Sequence, residues 1–199
     1  MLELLYVGFV GSGTAASAVG MDKLRTRECL TAHGVPMAAS AHGPLDGADA
    51  ERELERIEAA IGLPCFLKTD LSGSSFGVVR CEDAVAVRRF FASERGRRYV
   101  AERPLHGEEI SVPVLGNSGE PLQPLPPVGI YPRVASWFTP DAKYQDGGAQ
   151  EVIPPRGLDA RGVAEVQALA MRCHEAIGCD GVSRTDMILS GSRMPVLEV

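Results

Sequence analysis

Amphipathic periodicity along the chain predicts helices. In the clearest case, Leu54, Ile57 and Ile61 recur at i, i+3 and i+7 with charged residues between them. Glu82 and Asp83 place acidic side chains at the start of another predicted helix, where the helix dipole favours negative charge. On this pattern, helices are predicted over Met21–Ala32, Asp49–Ile61, Glu82–Arg95 and Ala160–Ile177.

Short apolar runs between these helices predict β-strands. They cover Leu63–Lys68, Phe76–Cys81, Tyr99–Arg103, Glu109–Leu115, Asp180–Leu189 and Met194–Val199. The last two are predicted to form a hairpin around the turn Ser190–Arg193. Residues 116–160 are rich in proline and glycine, and so irregular a stretch inside a compact domain is more often a functional loop than a linker.

Composition and charge exclude several classes of protein. The 199 residues are 45% hydrophobic and 23% charged, which is typical of a soluble globular protein and excludes disorder. The net charge of −6 provides no basic footprint, so neither nucleic acid nor an anionic membrane is expected as a partner. No apolar run approaches the roughly 18–20 residues that span a bilayer. Because Glu3 stands where a signal peptide has Lys or Arg, the chain is predicted to be cytoplasmic.

The cysteines carry no predicted chemical role. Five are present, an odd number, and none forms a CxxC pair. This arrangement favours reduced thiols over a disulfide framework or a zinc site.

A glycine- and serine-rich loop, Ser72–Gly77, follows the predicted strand that ends at Lys68. Backbone N–H groups and serine hydroxyls in such a loop can donate to a phosphate, and a neighbouring lysine adds positive charge. A Walker motif is absent, and a flexible hairpin turn with solvated serines explains the segment at least as well when it is taken alone. Lys23, taken alone, is typical of a surface lysine.

The C-terminal hairpin brings charged residues onto one face. Arg184 and Asp186 are two residues apart, so they project to the same side of a strand. With the turn near Gly191, Glu198 lies across the ladder from Asp186 and shares its face. Two carboxylates and an arginine on an apolar hairpin indicate a Mg²⁺ site with an anion clamp. An edge hairpin with an exposed salt bridge is the alternative interpretation.

Taken together and in order, several segments resemble the D-alanine–D-alanine ligase family of the ATP-grasp superfamily. The matching stretches are Val10–Lys23, Phe66–Lys68, Gly73–Gly77, Glu102–Glu109, Ala142–Tyr144, Arg184–Asp186 and Leu197–Glu198. The resemblance implies an α+β, ATP-grasp fold whose two lobes enclose a nucleotide cleft. It divides the chain into an N-terminal-lobe remnant and connector (1–17), a central lobe (18–103) and a C-terminal lobe (104–199).

The resemblance also implies which residues bind ATP. Lys23 and Lys68 reach the phosphates, with Lys68 deep in the cleft. Glu102 accepts a hydrogen bond from the adenine amino group, the hinge from Arg103 to Leu105 lines the base pocket, and Glu109 binds the ribose hydroxyls.

By the same resemblance, Ser74 caps the phosphates, helps to hold the amino-acid substrate and hydrogen-bonds with Tyr144. Lys143, which contacts ATP, and Tyr144 lie on a mobile loop, 136–150. Arg184 stabilises the transferring phosphoryl group. Asp186 and Glu198 hold two Mg²⁺ or Mn²⁺ ions.

The implied reaction joins two D-alanines through an acyl phosphate, in the synthesis of peptidoglycan precursors. ATP and D-alanine are then the small-molecule substrates, and negative charge that builds in both steps is offset by Lys68, Arg184 and the metal. D-lactate or D-serine could replace the second D-alanine. A nucleotide-binding module without catalysis and another ATP-grasp carboxylate–amine ligase are the alternative functions.

Some features depart from the family pattern. Thr69 replaces the usual proline, and Pro104 stands where the hinge often has an aromatic residue. Only the last piece of the family's N-terminal lobe is matched, by Leu2–Gly8, and the family continues past Glu198 with an asparagine metal ligand. The sequence is therefore expected to be the nucleotide-binding part of a ligase, with weak or no activity alone. A homodimer is expected where the N-terminal lobe is complete.

Overall fold

The structure is a computed structural model that describes residues 2–45, 47–70, 77–94, 98–117, 119–132 and 148–199. Several predicted features lie outside these described residues. They are most of the glycine- and serine-rich loop with Ser74, the segment 136–147 of the predicted mobile loop, and Lys143 and Tyr144 within it.

The described chain contains both helices and strands. The helices are α1 (Thr14–Met21), α2 (Lys23–Ala32), α3 (Ala50–Ala60), α4 (Ala84–Ser93) and α5 (Ala160–Ile177), and a 3-10 turn covers Glu3–Leu5. The strands are β1 (Ser40–Pro44), β2 (Cys65–Thr69), β3 (Val79–Cys81), β4 (Arg98–Glu102), β5 (Glu108–Leu115), β6 (Gln123–Pro124), β7 (Val128–Pro132), β8 (Ala149–Val152), β9 (Val182–Leu189) and β10 (Val196–Glu198).

Aspartate side chains define the starts of three helices. The carboxylates of Asp49, Asp83 and Asp159 accept hydrogen bonds from backbone N–H groups in the first turns of α3, α4 and α5. At the other end of α5, Gly178 adopts the left-handed conformation (φ 75°) that favours glycine. The predictions of these three helices are confirmed.

The chain divides into two compact units. The four-stranded unit consists of Met21–Leu24 and Ala38–Leu105, and the six-stranded unit consists of Met1–Gly20, Arg25–Met37 and His106–Val199. The segment Arg25–Met37, which the predicted division includes in the central lobe, belongs to the six-stranded unit. Its Leu30 and Val35 are buried in the core of that unit.

In the four-stranded unit, an antiparallel sheet in the order β1-β4-β2-β3 is covered on one face by α3 and α4. Leu67 on β2 and Ala101 on β4 pair in register and are fully buried in this core. Because side chains alternate along a strand, Lys68 and Glu102 project from the opposite face. The core comprises Ala41, Leu45, Leu54, Ile57, Ile61, Cys65, Leu67, Cys81, Val87, Phe90, Phe91, Tyr99 and Ala101.

The six-stranded unit repeats this design with α5 as the main cover. Its antiparallel strands run in the order β10-β9-β5-β7-β8, and β6 also pairs with β5. Ile110 on β5 and Met187 on β9 pair in register and are fully buried. Ser111 and Asp186, next along each strand, project from the opposite face. Buried partners from the helices and loops are Ala16, Leu30, Val35, Val166, Leu169, Ala170, Cys173, Ile177 and Cys179.

The region 116–160 contains strands that the sequence pattern did not predict. β7 pairs with β5, and β8 pairs with β7, so residues 149 and 150 of the predicted mobile loop are strand residues. Prolines interrupt the alternation in this region, and the ladder hydrogen bonds join β7 to β5 and β8 to β7 across the residues between them. The helix α1 and the strand β1 were also not predicted. Among the described residues, no helix is long and apolar enough to cross a membrane.

Two valines on α4 test which face of that helix carries the stability of the four-stranded unit. Val87 is fully buried, whereas Val85 is 59% exposed. We expect Val87→Ala to lower the free energy of unfolding by about 2 kcal/mol, because it removes buried methyl groups and leaves a cavity. Val85→Ala is the matched control and is expected to change it by less than about 0.5 kcal/mol. Equal effects in urea-induced unfolding would contradict the assigned helix face.

Candidate functional site

Lys68 and Glu102 form an ion pair on the polar face of the four-stranded unit. The Lys68 Nζ lies 2.6 Å from the Glu102 Oε2, and the two side chains are only 13% and 11% exposed. Phe66 pairs with Glu102 in the β2–β4 ladder, and Lys68 is two residues farther along β2, so the ion pair is diagonal across the ladder. Two of the residues predicted to bind ATP are therefore in direct contact.

Lys23 is held close to the end of β2 in the same unit. Its backbone N–H donates to the Asp70 carbonyl oxygen at 3.0 Å, and Asp70 is two residues beyond Lys68. The helix α2 begins at Lys23. The backbone therefore brings together the segments that carry the two predicted phosphate-binding lysines.

The predicted hinge residues follow β4 directly. The backbone N–H of Arg103 donates to the Ala39 carbonyl at 2.9 Å, and its side-chain Nε donates to the Ile61 carbonyl at 3.2 Å. Leu105 is half-buried. Both residues lie in the four-stranded unit with Glu102, and Arg103 is fixed by hydrogen bonds at the backbone and the side chain.

Asp186 is the centre of a hydrogen-bonded group in the six-stranded unit. Its Oδ1 accepts hydrogen bonds from the Ser111 hydroxyl at 2.6 Å and from the Arg184 Nε at 3.0 Å. Its Oδ2 accepts from the Arg184 Nη2 at 2.7 Å. The Asp186 side chain is 4% exposed, whereas the Arg184 side chain is 63% exposed. The carboxylate is thus buried at the base of the face, and the arginine extends from it towards solvent.

Glu198 and Glu109 complete this charged face. Glu198 pairs with Asp186 in the β9–β10 ladder, as expected from the sequence, and a β-bulge between Val196 and Glu198 shifts the register there. Glu109 is two residues before Ser111 on β5 and projects to the same side. Hydrogen bonding to Asp186, followed by the charges of Asp186, Glu198 and Glu109, raises the pKa of the Arg184 guanidinium. Its positive charge is therefore stabilised by three carboxylates.

The donor set fits a hard divalent cation that also takes ligands from a substrate. Mg²⁺ prefers oxygen ligands and is usually held by one or two carboxylates, together with phosphate oxygens and water. Asp186 and Glu198 supply two carboxylates on neighbouring strands. Within the part of the chain that the structure describes, no group of three or more His, Cys, Asp or Glu side chains is placed to hold a metal by itself. The residues present therefore fit Mg²⁺ bound together with a phosphate.

Ser111 is a residue of this group that the sequence analysis did not identify. It is buried on β5 and stands opposite Asp186 in the β5–β9 ladder. The period of two along the predicted strand would have placed it on the face of Glu109. Its contact with Asp186, 75 residues away in sequence, depends on the register of two distant strands.

Comparison with known proteins gives consistent results. Residues 30–199 match the family model described as D-ala D-ala ligase C-terminus. The curated D-alanine--D-alanine ligases of Syntrophobacter fumaroxidans and Desulforudis audaxviator are each 36% identical over the whole chain. The chain spans 63% and 64% of their respective lengths.

Two solved structures are similar to this chain. The VanG D-Ala:D-Ser ligase from Enterococcus faecalis matches with a TM-score of 0.80 and 27% identity, over 98% of this chain and 56% of that one. The D-alanine--D-alanine ligase from Bacillus anthracis matches with a TM-score of 0.76 and 26% identity, over 99% of this chain and 62% of that one.

The hydrogen bond from Ser111 to Asp186 can be tested by substitution. Ser111→Ala leaves a buried carboxylate without one of its donors, and we expect the free energy of unfolding to fall by about 1–3 kcal/mol. Ser111→Thr keeps a hydroxyl and should lose less. The exposed Ser192 provides a control, since Ser192→Ala should have little effect. Equal losses for the alanine and threonine variants of Ser111 in urea-induced unfolding would show that the hydroxyl is not what matters.

Proposed function

Because the chain belongs to the D-alanine–D-alanine ligase C-terminal family, we propose that it forms the ATP- and metal-binding part of an ATP-dependent ligase. The fold expected from the resemblance, α+β and of the ATP-grasp type, is confirmed by the match to solved ligases. The reaction we propose is the joining of two D-alanines to D-alanyl-D-alanine for peptidoglycan precursors.

The arrangement of Arg184, Asp186 and Glu198 is the observation that carries this proposal. Phosphoryl transfer requires positive charge close to the transferring group and a carboxylate set for the metal. One sheet face provides both, since Arg184 contacts Asp186 and Glu198 stands opposite Asp186 in the ladder. We propose that Asp186 and Glu198 hold the metal and that Arg184 contacts the phosphoryl group.

Lys68 and Glu102 would serve the nucleotide in the four-stranded unit. A carboxylate has acceptor capacity for several donors, so Glu102 can hold the Lys68 ammonium and also accept from the adenine amino group. The ion pair at 2.6 Å would keep Lys68 oriented before a phosphate arrives. Lys23 is proposed to bind the same phosphates, the hinge from Arg103 to Leu105 to line the base pocket, and Glu109 to bind the ribose.

The chemistry follows from the weakness of a carboxylate as an electrophile. In the first step, a carboxylate oxygen of one D-alanine attacks the γ-phosphorus of ATP, and ADP leaves. In the second, the amine of another D-alanine attacks the acyl carbon, loses a proton and expels inorganic phosphate. Lys68 and Arg184 would stabilise the negative charge that builds in both steps. A bound Mg²⁺ or Mn²⁺ would neutralise charge on the phosphates.

Ser74, Lys143 and Tyr144 complete the proposed machinery, although they lie outside the described residues. We propose that Ser74 and Tyr144 orient the substrates and that Lys143 contacts ATP. We place the reaction in the cytoplasm, where ATP is available and where the five cysteines, all free thiols, would stay reduced. Neither nucleic acid nor a membrane is proposed as a partner, and a homodimer stays a prediction.

ADP release tests the proposed ligase activity. We expect this chain to bind Mg²⁺-ATP and to show weak or no D-alanine-dependent ADP release by itself; in a coupled assay, ADP release is expected to rise with D-alanine when the family's N-terminal lobe is also present. D-serine and D-lactate, each with D-alanine, distinguish the second substrate. Binding of Mg²⁺-ATP with no D-alanine-dependent ADP release even when the N-terminal lobe is present would favour the alternative of a nucleotide-binding module without catalysis. Failure to bind Mg²⁺-ATP at all would overturn the proposal.

The metal role of Asp186 has its own test. We expect Asp186→Asn to weaken Mn²⁺ binding in the presence of a nonhydrolysable ATP analogue by about tenfold or more, because an amide is a much poorer ligand for a hard cation than a carboxylate. Electron paramagnetic resonance of free Mn²⁺ measures this without turnover. Asp159→Asn is the control, since Asn still caps α5. Unchanged Mn²⁺ binding in Asp186→Asn would exclude Asp186 as a ligand.

A further inference from the structure

Arg98 joins two aspartates next to the predicted phosphate-binding lysines. Its Nε donates to the Asp70 Oδ2 at 2.7 Å, and its Nη2 donates to the Asp22 Oδ2 at 2.5 Å. The Asp70 side chain is 2% exposed and the Asp22 side chain 17% exposed, so both ion pairs are largely shielded from water. All three residues belong to the four-stranded unit.

Asp22 uses its two carboxylate oxygens for different tasks. The Oδ1 accepts the backbone N–H of Leu24 at 3.1 Å and so caps the start of α2. The Oδ2 is held by Arg98. The Arg98 guanidinium therefore helps to fix the position of the start of α2, and with it the backbone of Lys23.

Asp70 stands on the polar face of the sheet with Lys68. The Asp70 N–H donates to the Arg98 carbonyl at 3.2 Å, which extends the β2–β4 ladder by one residue beyond Thr69. Asp70 and Lys68 are two residues apart and project to the same side. Along this face, Lys68 therefore lies between its ion-pair partner Glu102 and the ion pair of Arg98 with Asp70.

The planar guanidinium suits this task. Arg98 offers separate N–H groups from one rigid fork, which fixes the two carboxylates relative to each other, whereas a lysine ammonium is a point charge on a flexible stem. The hydrogen bond to Asp70, more than that to Asp22, raises the pKa of Arg98. Without the guanidinium, two carboxylates would remain close to a site that must accept the negative charge of ATP.

We propose that Arg98 is a positioning residue for phosphate binding: by holding Asp22 to Asp70, it sets Lys23 at the distance from Lys68 at which both ammonium groups reach the same polyphosphate. This inference rests on the proposed function. The side-chain link acts together with the backbone hydrogen bond from Lys23 to Asp70. Arg98 itself does not contact ATP in this proposal; its Nε and Nη2 donate to the two carboxylates.

The test compares two ligands in the full chain by isothermal titration calorimetry. Mg²⁺-ATP needs the lysines, whereas adenosine needs only the base and ribose contacts. We expect Arg98→Met to weaken Mg²⁺-ATP binding by about tenfold, the loss typical of a charge-assisted hydrogen bond, and to change adenosine binding by less than about twofold. A role that is only structural would weaken both ligands together.

Two further variants keep the test decisive. Asp22→Asn preserves the buried Arg98–Asp70 pair and the helix cap, and it should still weaken Mg²⁺-ATP selectively, even if Arg98→Met unfolds. Arg88→Met is the matched control, because Arg88 forms an ion pair with Glu51 at 2.5 Å on the exposed surface of the same unit. It should change neither ligand.

The outcomes separate this inference from the proposed function. If the unaltered protein binds no Mg²⁺-ATP, the proposed function fails, and the role of Arg98 fails with it. If it binds Mg²⁺-ATP and the variants of Arg98 and Asp22 bind it equally well, or lose both ligands in parallel, only the positioning role is overturned.

Discussion

The alternation of side chains along antiparallel strands is the constraint on which both units depend. Each sheet is covered by helices on one face, so every second residue of its central strands must be apolar. Leu67 and Met187 fill those positions and are fully buried. Their neighbours Lys68 and Asp186 are then forced to the opposite face. A slip of one residue would bury the charges and expose the core, and the same packing that stabilises the fold therefore fixes the register of the site.

Charge compensation is the second common feature of the two polar faces. Lys68 pairs with Glu102, Arg184 with Asp186, and Arg98 with Asp22 and Asp70. Removing a charge from water is costly unless an opposite charge and hydrogen bonds replace the lost hydration. Asp70 and Asp186 are almost completely buried, and each is held by an arginine. A substrate that binds here meets charges that are already oriented, which reduces the reorganisation needed during a reaction.

Local patterns in the sequence predicted much of the fold. The helices α3 and α5 follow from apolar periodicity, and α4 follows from the acidic residues at its start. The hairpin of β9 and β10 follows from its short turn, but the β-bulge between Val196 and Glu198 was not predicted. The strands β7 and β8 were missed because their partners are distant and prolines hide the alternation. The small residues of α1 show no clear apolar stripe, and only Ala16 of that helix is buried. Local patterns predict an element when the interactions that define it are themselves local.

In the candidate site too, some features were predictable from the sequence and others depended on the tertiary structure. The sequence by itself predicted which residues would carry the chemistry, because the order and spacing of the lysines, the arginine and the carboxylates resemble one family. Strand periodicity also predicted that Arg184 and Asp186 share a face, whereas a β-bulge between Val196 and Glu198 decides that Glu198 stands opposite Asp186. Only the tertiary structure decided that Ser111 donates to Asp186. It also decided that Arg98 joins Asp22, 76 residues away in sequence, to Asp70, 28 residues away. These contacts arise from strand register and packing between distant segments, and no local pattern specifies them.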